Sequence, residues 1–358
     1  MRAQRLTAAA VGRSPPADLA GAVLLAAVRL PEETLAKGTR LDHETATRLV
    51  AAAVDGVLAR PLRLAWPGPD DVHEDEAAAR LALAVGGAGV ELRPPRQSRL
   101  DLAAAWDGVL HVRSEALRRL NAIDPLEAFT LFHGQAVSRG QVVCSVKVAP
   151  HVLPAATLAD GLRIAQGEGP LVEVRPYRAM EVGAIAVEAM TPEALARFEA
   201  GARAKVEALG GSFGGTIVIP DDDPDRAEAA VRGALETLVR RRGLPVVLVG
   251  GVSSGDPLSP FYAALERSGG TVLRRGLPAH PGSMIWLARL DRTQLLGLPQ
   301  CGMFSLATAA DLVLPRLLTG EALTAESLAD LAHGGLLGRE MRFRMPGYAR
   351  DLPEPEEK

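Results

Sequence analysis

The chain has 358 residues, enough for two domains with separate cores at ~150 residues apiece. Its net charge of −3, with 23% charged residues, gives no electrostatic basis for a nucleic-acid partner. Two cysteines, Cys144 and Cys301, exclude a disulfide framework and point to a reducing, cytoplasmic setting.

Residues 1–16 read as a flexible tail. The apolar run 19–28 follows Arg2, Arg5 and Arg13 in the manner of a signal peptide. Pro15, Pro16 and Asp18 interrupt the approach, however, and the run is too short to span a bilayer. A buried strand and no membrane association are expected. Residues 17–175 read as a mixed α+β domain. Within it, residues 62–66 alternate as a strand does and end at Pro67-Gly68-Pro69. Asp71 is expected to cap a helix running to Val85, with the acidic first turn His73-Glu74-Asp75-Glu76 favoured by the helix dipole rather than by a metal. Asp107-Gly108 has the form of a hairpin turn. Val142, Cys144, Val146 and Val148 should share one face of a half-buried strand.

After Pro176 the pattern changes. Residues 182–190 are nearly unbroken in apolar character, as in a strand covered on both faces. Thr191-Pro192 opens a helix, residues 216–219 form a strand, and Asp223-Pro224 opens a second helix. A strand over 245–249, a helix from Ser259-Pro260, a strand over 271–274, a strand over 293–296 and a helix to Leu318 complete the series. The alternation predicts an α/β fold for residues 176–335: a three-layer, doubly wound, mostly parallel sheet. Residues 336–358 read as a C-terminal tail. Arg240-Arg241-Arg242 falls where a helix should end, and dipole compensation accounts for it.

In open α/β sheets ligands bind beyond the carboxyl ends of the strands. Three segments fall there. Gly250-Gly251-Val252-Ser253-Ser254-Gly255-Asp256 combines bare backbone, two hydroxyls and a carboxylate, a composition suited to an anion. Asp221 stands at a strand end beside Asp222 and the capping Asp223. Gly297-Leu298-Pro299-Gln300-Cys301-Gly302 forms a further loop.

Together these segments resemble the molybdenum-cofactor biosynthesis domain shared by molybdopterin adenylyltransferases, molybdopterin molybdotransferases and competence-damage-inducible proteins. Residues 250–256 look like its Gly-Gly-x-Ser/Thr-x-Gly-Asp loop, and Ile219-Pro220-Asp221-Asp222 is similar to its Val-Pro-Asp element. Pro281-Gly282 stands where the family has a Pro-Gly turn, and Leu298-Pro299-Gln300-Cys301 resembles its Leu-Pro-Gly loop. Asp71-Val72-His73-Glu74-Asp75-Glu76-Ala77-Ala78 is similar to a run in one branch, the bacterial molybdopterin-binding proteins. The resemblance implies molybdopterin as ligand or substrate, with Mg and ATP in the adenylylating members. It implies Asp256 and Asp221 as catalytic and Mg-handling residues. Gly250, Gly251, Ser253, Ser254, Gly255, Pro281, Gly282, Leu298, Pro299 and Cys301 would be the binding set. Gln300 departs from the pattern, replacing a loop glycine. The function implied is molybdopterin binding, as carrier or in Mo insertion or adenylyl transfer; the alternative is an ADP-ribose-type nucleotide hydrolase. A homo-oligomer and a molybdoenzyme client are the expected partners.

Overall fold

The computed structural model describes residues 1–95, 99–220, 223–298 and 307–352. The chain divides into two compact units, one of residues 1–105, 111–133 and 140–174, the other of 106–110, 134–139 and 175–358. Two short segments of the N-terminal stretch, residues 106–110 and 134–139, thus cluster with the second unit.

In the first unit, residues 1–16 are not a tail. Arg2–Leu6 is a strand paired antiparallel with Leu62–Trp66, and Ala8–Arg13 is a helix capped by the Thr7 hydroxyl. The strand is almost wholly exposed, so no apolar alternation marks it; backbone pairing and the Arg2 guanidinium 4.5 Å over the Trp66 ring hold it. The expected strand over 19–28 is broken into Val23–Leu24 and Val28–Arg29, with Gly21 at φ +84 turning the chain before the first. Asp71 does not cap the helix Glu74–Val85. It lies in a short strand, Asp71–His73, and its carboxylate accepts from the Gly68 N–H and the Met1 amino group; His73 Nδ1 caps instead, accepting from the Asp75 N–H. Val142–Val148 is a strand as expected, but its second face is also buried: Ser145 donates to Asp101 at 2.6 Å there.

In the second unit we name β1 (Glu181–Ala186), α1 (Pro192–Glu207), β2 (Ser212–Val218), α2 (Pro224–Leu235), β3 (Val246–Gly250), α3 (Pro260–Arg267), β4 (Thr271–Arg274), β5 (Trp286–Leu290), β6 (Thr293–Leu298) and α4 (Ala310–Leu318). Thr191 and Asp223 cap α1 and α2 through their side chains, each followed by a proline in the first turn, where its missing N–H costs nothing. The sheet order is β2-β1-β3-β6-β5-β4. β1 pairs parallel with β2 and β3, and β3 with β6; β5 pairs antiparallel with both β6 and β4. The sheet is thus mixed. The strand over 271–274 does not continue the parallel winding but sits at the edge against β5, which the sequence pattern did not predict. β5 is buried at four of five positions, so it shows no alternation.

Alternate residues of the central strands feed two cores. Val182, Ala184, Val246 and Leu248 pack with Phe198, Ala202 and Val206 of α1 and with α4. Ile185, Val247 and Val249 pack with Val231 and Leu235 of α2 and Phe261 and Leu265 of α3 on the other face. Helices on both faces of the sheet give three layers. Residues 336–352 are not a tail either: Met345 and Ala349 lie fully buried in the first of these cores, and Arg342 and Arg344 are buried as well. Asp107-Gly108 makes no hairpin. Asp107 accepts from the Arg139 N–H at 2.7 Å, and a Cβ on Gly108 would stand 2.1 Å from the Arg175 carbonyl, so close approach explains the glycine.

Candidate functional site: the loop after β3

β3 ends at Gly250, which lies in register with Ala186 of β1 on one side and Leu298 of β6 on the other. The loop therefore leaves the sheet where three parallel strands finish together. Gly251 follows at φ +80, and a Cβ there would stand 3.0 Å from the Val187 carbonyl oxygen. Both the left-handed backbone and the close approach require glycine. Val252 turns back into the core, and its carbonyl accepts from the Trp286 indole N–H at 2.9 Å. Trp286 is fully buried between Phe261 and Tyr262, with ring centroids 5.1 and 5.5 Å away. The first half of the loop thus rests on an aromatic floor.

The second half is built from turns. Ser253 Oγ accepts from the Gly255 N–H at 3.2 Å, and the Ser253 carbonyl accepts from the Tyr262 hydroxyl at 3.1 Å. Asp256 Oδ1 accepts from the Leu258 N–H at 3.0 Å. These local bonds are the ones serine and aspartate make in turns. Ser254 Oγ donates to Met284 Sδ at 3.8 Å. The loop does not run straight into a helix. α3 begins only at Pro260, and Ser259 before it makes no side-chain cap bond. Anion binding by this loop would therefore rest on its own N–H groups and hydroxyls rather than on a helix dipole.

One cation is close. The Arg275 guanidinium carbon lies 4.2 Å from the Tyr262 ring centroid, and Tyr262 in turn touches Ser253. Burial pushes the Tyr262 hydroxyl up to about 12, against the lowering effect of Arg275 and with a smaller raising contribution from the Asp256 charge. Asp256 itself is exposed.

The remaining expected residues are distributed as follows. Pro281 and Gly282 are fastened to the start of α4: the Pro281 carbonyl accepts from the Ala309 N–H at 2.9 Å, and a Cβ on Gly282 would meet the Ala309 nitrogen at 2.8 Å. The same segment reaches the glycine loop through Met284, whose methyl stands 3.1 Å from the place of a Cβ on Gly255. Leu298 is at the end of β6, abreast of Gly250. Asp223 caps α2, which lowers its carboxyl below the ordinary range, chiefly through the Arg226 N–H. Arg274 turns away to the Gly276 carbonyl, and the His280 backbone bonds to Gly335 and Leu337. Asp221, Pro299 and Cys301 lie outside the described residues.

Sequence reasoning missed Glu188, just beyond β1. Its carboxyl carbon lies 3.2 Å from where a Cβ on Gly251 would be, so a carboxylate flanks that glycine. Its place past the carboxyl end of a central strand was the available signal. Tyr262 and Met284 were also missed. Among the described residues no group of three or more His, Cys, Asp and Glu is placed to hold a metal ion, and Asp256 has one oxygen turned into its own loop. Asp221, the other residue that the resemblance implies for Mg, lies outside the described residues. Among those residues, no helix is long and apolar enough to cross a membrane.

No known family's sequence profile matches the chain, and no curated protein matches it. Solved structures give distant likenesses. The molybdopterin biosynthesis enzyme MoaB from Thermus thermophilus is 17% identical over 40% of this chain and 98% of its own, with a TM-score of 0.28. The molybdopterin biosynthesis MoeA protein from Pyrococcus horikoshii is 16% identical over 72% of this chain and 80% of its own, at 0.27. MogA is 15% identical over 44% and 97%, at 0.25. At such TM-scores these likenesses carry no argument about the activity of this chain.

Proposed function

We propose that the chain binds molybdopterin within molybdenum-cofactor biosynthesis, as a carrier or as the binding element of Mo insertion or adenylyl transfer. The observation that carries this is the loop 250–256: its motif stands where three parallel strands end together, with Gly251 forced to φ +80 against Val187. In this reading the ligand's terminal phosphate takes N–H groups of the loop and the Ser253 and Ser254 hydroxyls. Arg275 offsets the phosphate charge from beside Tyr262. Asp256, exposed at the loop's end, is the carboxylate next to the anion. Pro281, Gly282 and Leu298 shape the neighbouring wall.

The test is anaerobic incubation of wild type and Asp256→Ala with molybdopterin, with and without Mg-ATP or molybdate, followed by analysis of the pterin. Adenylated or metallated product from wild type alone assigns a catalytic role to Asp256. Unchanged pterin retained by both proteins assigns a carrier. No retention by either removes the proposal.

A further inference from the structure

β3 has two ends. Gly250 opens the loop at one; Val246, at the other, lines a cavity of about 340 Å³. A strand of five residues separates them, roughly 13 Å at about 3.3 Å per residue. The cavity is thus on the opposite side of the sheet's length from the glycine loop. Its volume falls in the range of roughly 300–1,000 Å³ usual for small-molecule sites.

The walls are apolar, formed by Met180, Val246, Leu317 and Leu323. Gln294 is buried and engaged at both ends of its amide, donating to the Glu321 carbonyl at 2.6 Å and accepting from the Leu323 N–H at 2.9 Å. That fixes the segment after α4 as a firm wall. The rim is charged. Arg289 comes from β5, and Arg292 from the two-residue turn that joins β5 to β6. Asp291, the other turn residue, is held by Arg240 at 3.2 Å and stands at φ +53, a conformation that favours glycine. Its carboxylate is therefore already engaged. Arg289 and Arg292 are both exposed. Two exposed arginines line one largely apolar cavity, and the planar donor fork of a guanidinium matches an oxyanion.

We propose that this cavity is a second ligand site, for a small molecule that carries an oxyanion on an apolar body. The body lies against Met180, Val246, Leu317 and Leu323; a carboxylate or phosphate meets Arg289 and Arg292. The proposal stands independently of what the glycine loop binds.

Phenyl phosphate, benzoate and inorganic phosphate are the probes, each titrated into the full chain by ligand-observed NMR. The site predicts saturable binding of at least one aromatic anion, and the tighter of the two identifies the anionic group. Inorganic phosphate should bind about tenfold more weakly or worse, because it has no apolar body. Arg289→Ala/Arg292→Ala should weaken binding by about tenfold or more, while Arg289→Lys/Arg292→Lys, which keeps the charge without the fork, should fall between. Failure of both aromatic anions to bind wild type overturns the proposal. So does equal binding by wild type and a folded alanine or lysine double variant.

Discussion

The Tyr262 hydroxyl donates to the Ser253 carbonyl at 3.1 Å, so the middle of the glycine loop hangs from the helix that follows it. The same ring carries Arg275 on its face and packs against Trp286, which itself holds the Val252 carbonyl. One aromatic pair thus fixes two successive loop carbonyls. Tyr262→Phe removes one of these bonds and keeps the ring. The expected cost is about 1 kcal/mol of stability, with faster hydrogen exchange at the Gly255 and Asp256 amides. Exchange read by mass spectrometry checks it; an unchanged rate there would mean the turn holds itself.

Burial raises all three tyrosines of the chain, Tyr262 to about 12 and Tyr177 and Tyr348 further. Unfolded tyrosine ionises near ~10. The folded state therefore keeps its phenolic protons where the unfolded state releases them, and stability falls as pH rises from about 10 through about 12. Absorbance at 295 nm should show no tyrosinate in native protein at pH 10.5. The first step, near pH 12, should vanish in Tyr262→Phe.

Gly297 lies directly opposite Trp286 in the antiparallel pair β5–β6, and a Cβ there would stand 1.9 Å from the indole. Gly297→Ala should destabilise by about 1–3 kcal/mol or more, because the ring has no room to move in the filled core. Trp286→Ala alone should cost about 3–5 kcal/mol. The double variant should be less unstable than the sum, since the alanine methyl then meets an emptied space. Urea midpoints of the three proteins measure this directly.

Cys144 is fully buried, and burial together with the nearby Asp101 charge pushes its thiol up to about 12. The thiolate is the reactive form, so iodoacetamide at pH 8 should leave the Cys144 peptide unmodified until the protein unfolds. Native alkylation at Cys144 would contradict the packing of Val142–Val148.

What was legible in the sequence was local. Thr191-Pro192 and Asp223-Pro224 announced two helix starts because caps act within one turn. The loop glycines read only as bare backbone for an anion; that Gly251 stands at φ +80 came with the fold. Non-local features were not legible. Arg2–Leu6 is polar and exposed, and becomes a strand only because Leu62–Trp66 offers it a partner. β5 hides its identity by being buried on both faces. Glu188 meets the loop from the neighbouring strand's end, and Tyr262 folds back onto it from the next helix, contacts that only the tertiary arrangement makes. The apparent cap at Asp71 failed because the Met1 amino group and the Gly68 N–H hold its carboxylate.

In the proposed function the backbone of the glycine loop holds the phosphate of molybdopterin. The most direct test is an anaerobic calorimetric titration of molybdopterin into wild type and Gly251→Val, the variant that φ +80 and the 3.0 Å approach to Val187 disfavour. Saturable binding by wild type, weakened at least about tenfold in a variant that still folds, is the predicted result. Equal binding by both proteins, or none by wild type, would contradict it.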